Sequence, residues 1–134
     1  MALLPDLQFS VICDDVRRED NGKMMFLGLF EVIGAERFPA THPTLFVANR
    51  WCKGEGEFVQ RTRLVNSKDN TTIVESPEVS FKLKDMDSHH TVISRFDRVT
   101  FPNPGKYWVE VLLADELMRN YPILLVEGKD PSKR

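Results

Sequence analysis

At 134 residues, 42% hydrophobic and 28% charged, the chain has apolar surface for one ordinary core and no room for two large domains. Its 18 Lys and Arg against 20 Asp and Glu leave a formal net charge of -2, too little field to gather nucleic acid or an anionic membrane in bulk. No segment approaches the roughly 20 apolar residues that span a bilayer, and Met-Ala-Leu-Leu-Pro-Asp lacks the basic start of a signal peptide, so a cytoplasmic address is expected.

The first strand is read over Leu7–Val16, and the charged run to Glu19 leads into a turn at Asp20-Asn21-Gly22. Asn-Gly between apolar runs signals a hairpin, because both residues tolerate the positive φ of a two-residue turn. A second strand begins at Lys23 and is apolar on both faces from Met24 to Ile33, with Gly28 and Gly34 as bends or bulges. Phe38-Pro-Ala-Thr-His-Pro43 breaks the pattern and should carry the chain from one sheet to the other. The third strand, Thr44–Cys52, alternates Leu45, Val47, Asn49 and Trp51 against Phe46, Ala48 and Arg50. Lys53-Gly54-Glu55-Gly56 is expected to close a second hairpin into Glu57–Val65, and Ser67–Asn70 a third into Thr71–Glu75.

Val79, Phe81 and Leu83 alternate with Ser80, Lys82 and Lys84, so that strand has a dry and a wet side. A strand from about His89 to Phe101 then runs up to Pro102, Pro104 and Gly105, which forbid helix and force a corner. Beyond it, Tyr107, Val109, Val111 and Leu113 share one face of a strand over Lys106–Leu113, which pairs in a hairpin with Leu117–Val126. The segment Asp115–Arg119 has room for one helical turn. Short strands, turn signals every 8 to 12 residues or so and no long helix predict an all-β fold, an antiparallel immunoglobulin-like β-sandwich of about eight strands. One domain is expected over residues 1–127, with a disordered tail over 128–134. A tyrosine entering a late strand just past a Pro-Gly corner also resembles the tyrosine corner of immunoglobulin-like sandwiches, whose phenol bonds back to the loop backbone.

Cys13 and Cys52 lie on separate strands, outside any CxxC motif, and are expected as buried thiols in a reducing compartment. Asn70-Thr71-Thr72 matches a glycosylation sequon and is read as turn chemistry.

Taken together, Cys13-Asp14-Asp15-Val16-Arg17, the Asn-Gly-Lys turn entering Met24–Phe30, Trp51-Cys52-Lys53-Gly54, His89-His90, Arg95-Phe96 and the run from Phe101 to Leu113 resemble a family of small bacterial proteins of unknown function. The resemblance covers nearly the whole chain and implies an all-β domain of bacterial origin, without catalytic residues to carry over. Such relatives place Asp-Gly in the last hairpin turn, where this chain has Asp115-Glu116, so a different turn type or a longer loop is expected there.

Three constellations are candidates for chemistry. Asp85, Asp87, His89 and His90 offer metal-ligating side chains, but adjacent histidines on a strand point to opposite faces, and a third ligand such as His42 would have to arrive by folding. Asp14, Asp15, Glu19 and Asp20 form an acidic patch without calcium-loop spacing, offset by Arg17 and Arg18. Both are read as solvated turns, and no metal or cofactor is expected. Arg50, Trp51, Arg61 and Arg63 would share a ligand face if the third and fourth strands pair. No Gly-x-Ser-x-Gly, phosphate loop or His-Glu-x-x-His is present, so no enzymatic activity has a motif behind it.

The doubly apolar second strand needs a cover, because Met25, Leu27, Leu29 and the outward Trp108 would otherwise leave several hundred Å2 of exposed apolar surface. A loop of the same chain or another subunit would serve. The expected function is a non-catalytic protein-interaction or self-associating module, a homo-oligomer or a binder of an unidentified protein. A small-ligand or carbohydrate-binding sandwich is the alternative, followed by a metal-dependent enzyme at Asp85, Asp87 and His89.

Overall fold

The computed structural model describes residues 3–128. Of the expected tail only Gly128 is described, its N–H donating to Ala35 O at 2.8 Å; the rest lies outside the described residues. The strands are β1 (Asp6–Arg18), β2 (Met24–Leu29), β3 (Val32–Ala35), β4 (Ala40–Cys52), β5 (Gly56–Asn66), β6 (Thr72–Glu75), β7 (Val79–Leu83), β8 (His89–Phe101), β9 (Gly105–Leu113) and β10 (Glu116–Glu127). No helix occurs among the described residues, so none there is long and apolar enough to cross a membrane. The first sheet has the order β2-β1-β4-β8 and the second β3-β10-β9-β5-β6, with β7 also pairing β5. The protein is therefore all-β with two sheets.

The doubly apolar run from Met24 to Ile33 is two strands, not one. Its first half pairs β1 in the first sheet, while Val32–Ala35 crosses over and pairs parallel with β10 in the second. The chain returns to the first sheet between β3 and β4, as the proline-rich segment predicts, but the crossing takes only residues 36–39, and residues 40–43 are already strand, with Ala40, Thr41 and His42 opposite Phe101, Thr100 and Val99 of β8. Lys53–Gly56 likewise changes sheets instead of closing a hairpin: Lys53 (φ 57) and Gly56 (φ 129) turn the chain sharply, and a Cβ on Gly54 would sit 2.7 Å from Pro5. Strands β4 and β5 therefore do not pair.

True hairpins also differ in detail. Between β1 and β2 the loop has three residues, Asp20–Gly22, because Gly22 N–H donates to Glu19 O and Glu19 N–H to Lys23 O. Only Gly22 (φ 87) takes the left-handed conformation. Between β9 and β10 the two-residue turn lies one position earlier than Asp115-Glu116. Ala114 (φ 47) and Asp115 (φ 67) occupy it, while Glu116 is already in the ladder opposite Leu113. Backbone pairing takes Glu116–Arg119 into β10, which leaves no helical turn there.

The inward residues of β4 fall as their alternation predicts, with Leu45, Val47, Asn49 and Trp51 all fully buried. One apolar cluster gathers Ile12, Leu45, Val47, Phe101, Tyr107 and Ile123 with their neighbours, and a second gathers Leu7, Trp51, Phe58, Phe81 and Val111. A polar layer runs across the sandwich in the row that contains Asn49. Asn49 Nδ2 donates to Gln60 Oε1 (2.8 Å) and Thr62 Oγ1 (2.7 Å), while Ser10 Oγ donates to Asn49 Oδ1 (2.7 Å) and meets the Tyr121 hydroxyl at 2.8 Å. Tyr107 completes the corner expected of it: its hydroxyl donates to Asn103 O at 2.6 Å. Cys13 and Cys52 are buried free thiols. In the β1–β4 ladder they sit opposite Phe46 and Asp6, six positions apart along β4 and so about 20 Å from one another.

Candidate functional site

Strand β1 has two partners in succession. Asp6–Cys13 pairs with β4, and Cys13–Arg18 pairs with β2. The β1–β2 hairpin thus extends beyond the reach of β4, and it bends back over the outer face of its own sheet. Phe26 on β2 meets Phe9 on the first half of β1 edge to face, with centroids 5.7 Å apart. Phe9, Arg50 and Thr91 form one cross-strand row, next to the row of Ser10, Asn49 and Val92 that faces the interior, so the Phe9 row faces outward.

Between the bent hairpin and this row lies an open cleft of about 590 Å3, within the usual range for small-ligand sites. Arg18, Lys23, Arg50 and His89 bring basic groups to its walls, Phe9, Met24 and Phe26 supply apolar and aromatic surface, and His90 borders it from the inward row of Trp51. No Asp or Glu lines it. Among the described residues, Arg18, Lys23 and Arg50 take part in no salt bridge. Arg50 Nε is buried and has no hydrogen-bond partner there, an arrangement that leaves a charged donor desolvated and uncompensated unless an acceptor enters the cleft. His90 stacks on Phe81 at 5.5 Å, and Phe81 in turn on Trp51 at 5.6 Å, so one wall of the cleft is continuous with the core.

The sequence-predicted sites distribute differently. Of Arg50, Trp51, Arg61 and Arg63, only Arg50 reaches the cleft. Trp51 is fully buried, with Nε1 donating to Gln60 Oε1 at 3.4 Å. Arg61 and Arg63 belong to β5 in the other sheet, where Arg61 binds Glu75 and Asp115 and Arg63 binds Glu110. The four therefore do not share a face, because β4 and β5 lie in separate layers. Met25 (36% exposed) and Leu29 (60% exposed) are on β2 with the half-buried Leu27, whereas Trp108 is on β9 in the second sheet with the Lys106 ammonium over its ring at 4.9 Å. Leu112, which shares the strand parity of Trp108, is buried.

Asp85 and Asp87 sit in the loop before β8. Asp85 Oδ1 accepts from Asp87 N–H and Ser88 Oγ, which holds its carboxyl below the ordinary carboxylate range. Among the described residues no three His, Cys, Asp or Glu side chains gather where they could hold a metal ion. His42 is elsewhere, against Phe30 at 5.9 Å, and burial lowers its pKa against the opposing pull of Asp14. In the acidic patch, Asp15 is tied to Arg17, whose guanidinium and the Val16 N–H lower its pKa.

Arg18, Lys23 and the two histidines escape reading as one group because they approach only when the hairpin folds back. The available signal was the excess of apolar surface on Met24 and Phe26, which has its partner in Phe9.

The profile described as Family of unknown function (DUF6941) matches residues 8–126. No curated protein matches the chain. Among solved structures, the chain is similar to the Pseudomonas fluorescens alkylpurine DNA glycosylase AlkC bound to DNA containing an abasic site analog, at 13% identity and a TM-score of 0.45. That match covers 87% of this chain and 30% of the glycosylase chain, so the chain spans under a third of its length.

Proposed function

This chain belongs to DUF6941, a family of unknown function, and on the geometry of its cleft we propose that it is a non-catalytic binding module for a small anionic ligand. The observation that carries this reading is Arg50, whose Nε is buried without a hydrogen-bond partner and which lines a cleft with basic groups and no carboxylate. A phosphate or carboxylate group placed there would accept from the guanidinium while Arg18, Lys23 and His89 lie within the same walls. The chain's net charge of -2 does not oppose this, because the cations are segregated into one concavity where low-dielectric walls focus their field. In this proposal the sandwich is immunoglobulin-like, which the tyrosine corner supports, and the buried thiols of Cys13 and Cys52 favour a reducing, cytoplasmic setting.

Titration with sodium pyrophosphate, at ionic strength balanced with chloride and followed by amide NMR, tests the reading. Saturable shifts are expected at Phe9, Arg18, Arg50 and Thr91, and Arg50→Gln should abolish them while leaving the rest of the spectrum in place. Shifts that stay linear in ligand, or that survive Arg50→Gln, overturn it.

The exposure of Met25 and Leu29 on β2 favours a second reading, self-association, on a different surface.

A further inference from the structure

The two sheets leave four edges, and three are blunted in the ways natural sheets resist stray pairing. Strand β8 presents exposed Arg95, Asp97 and Arg98, the last with a left-handed φ of 53. Strand β3 has only four residues and runs into Glu36-Arg37. The β6–β7 edge is broken by Ser76-Pro77-Glu78 and carries exposed Lys82. Strand β2 differs: it reads Met-Met-Phe-Leu-Gly-Leu, without charge or proline, and pairs on one side only. Gly28 takes φ 70, yet the β1–β2 register stays in step across it, from Cys13–Leu29 to Asp15–Leu27.

We propose that β2 is a self-pairing edge, to which a second copy of this chain adds its own β2 antiparallel across a two-fold axis through Leu27. The charge pattern selects that occupant. About Leu27 the sequence is self-complementary: Leu27 faces the partner's Leu27, Met25 faces the partner's Leu29, and just beyond the strand's two ends Lys23 comes opposite the partner's Glu31. Met24 and Phe26 line the cleft, so the alternating Met25 and Leu27 turn away from it and are available to a neighbour; Lys23, just ahead of the strand, borders the cleft as well. Lys23 and Glu31 are both exposed, and in no salt bridge among the described residues. The two-fold therefore closes three apolar pairs and two ion pairs at once, and joins the two four-stranded sheets into one of eight strands. Moving the axis by one residue separates Lys23 from Glu31 and loses both ion pairs.

Sedimentation equilibrium on the full chain tests this, with circular dichroism on each variant to confirm the fold. A dimer is expected. Lys23→Glu and Glu31→Lys should each weaken it roughly tenfold, since either places like charges opposite one another at both ends of the pair. The double variant K23E/E31K restores opposite charges and should return Kd to within about threefold of the original. A monomer at about 1 mM, a dimer indifferent to the single reversals, or a double variant no tighter than the singles overturns the proposal.

Discussion

Burial pushes the Tyr121 phenol up to about 12, against the smaller opposing effect of its hydrogen bond with Ser10. Its folded pKa is thus above the ordinary value of 10, so the stabilising contribution is complete below pH 10 and lost as pH rises from 10 through 12. A shift of that size corresponds to about 3 kcal/mol of stability at the alkaline limit. Urea unfolding between pH 8 and pH 12 should show the decline, with phenolate absorbance marking late ionisation of one tyrosine. Tyr121→Phe should lower stability at neutral pH by about 1 kcal/mol and flatten the alkaline slope. Residue alternation shows that Asn49 points inward beside Leu45, Val47 and Trp51. It does not show why a carboxamide is tolerated there, because Ser10, Gln60, Thr62 and Tyr121 come from three other strands and meet it only after both sheets have closed.

Turns behave as elements whose chemistry is local, and most were readable for that reason. The Pro-Gly corner before β9 and the Asn70 turn (φ 61) follow directly from residues that prefer those conformations. Ala114 is the exception. It holds φ 47 without a glycine's freedom or a polar side chain's local hydrogen bond, because the β9–β10 register leaves no other residue to turn the chain. Ala114→Gly should therefore raise stability by up to about 1 kcal/mol, seen as a higher urea midpoint with an unchanged m-value. Asp115 should be retained in that experiment, since its carboxylate accepts from Arg61 Nη2 at 2.7 Å. Sheet membership was less legible than turns. A glycine-bearing segment such as Lys53–Gly56 reads alike whether it returns to the same sheet or crosses to the other, and the choice depends on what packs behind Gly54.

At the scale of the whole molecule, the polar layer built on Asn49 separates two apolar clusters and ties the sheets at one register. Asn49→Ala should cost about 3 kcal/mol or more in urea unfolding, because it removes three hydrogen bonds at once, to Ser10, Gln60 and Thr62, and leaves a buried cavity among polar groups. A loss under about 1 kcal/mol would show that the layer holds nothing in place. The cleft shares this global character. Its basic residues are separated by up to about seventy positions in sequence (Arg18 to His89) and converge only through the bend in β1, which no local pattern records. The strand order carries one more consequence. In the second sheet β10 lies inside, between β9 and β3, although nine strands precede it in the chain. During synthesis β3 must wait some ninety residues for its only neighbour, so a nascent chain emerging from the ribosome holds an open seam until its tenth strand arrives, and that seam is where a chaperone would find it.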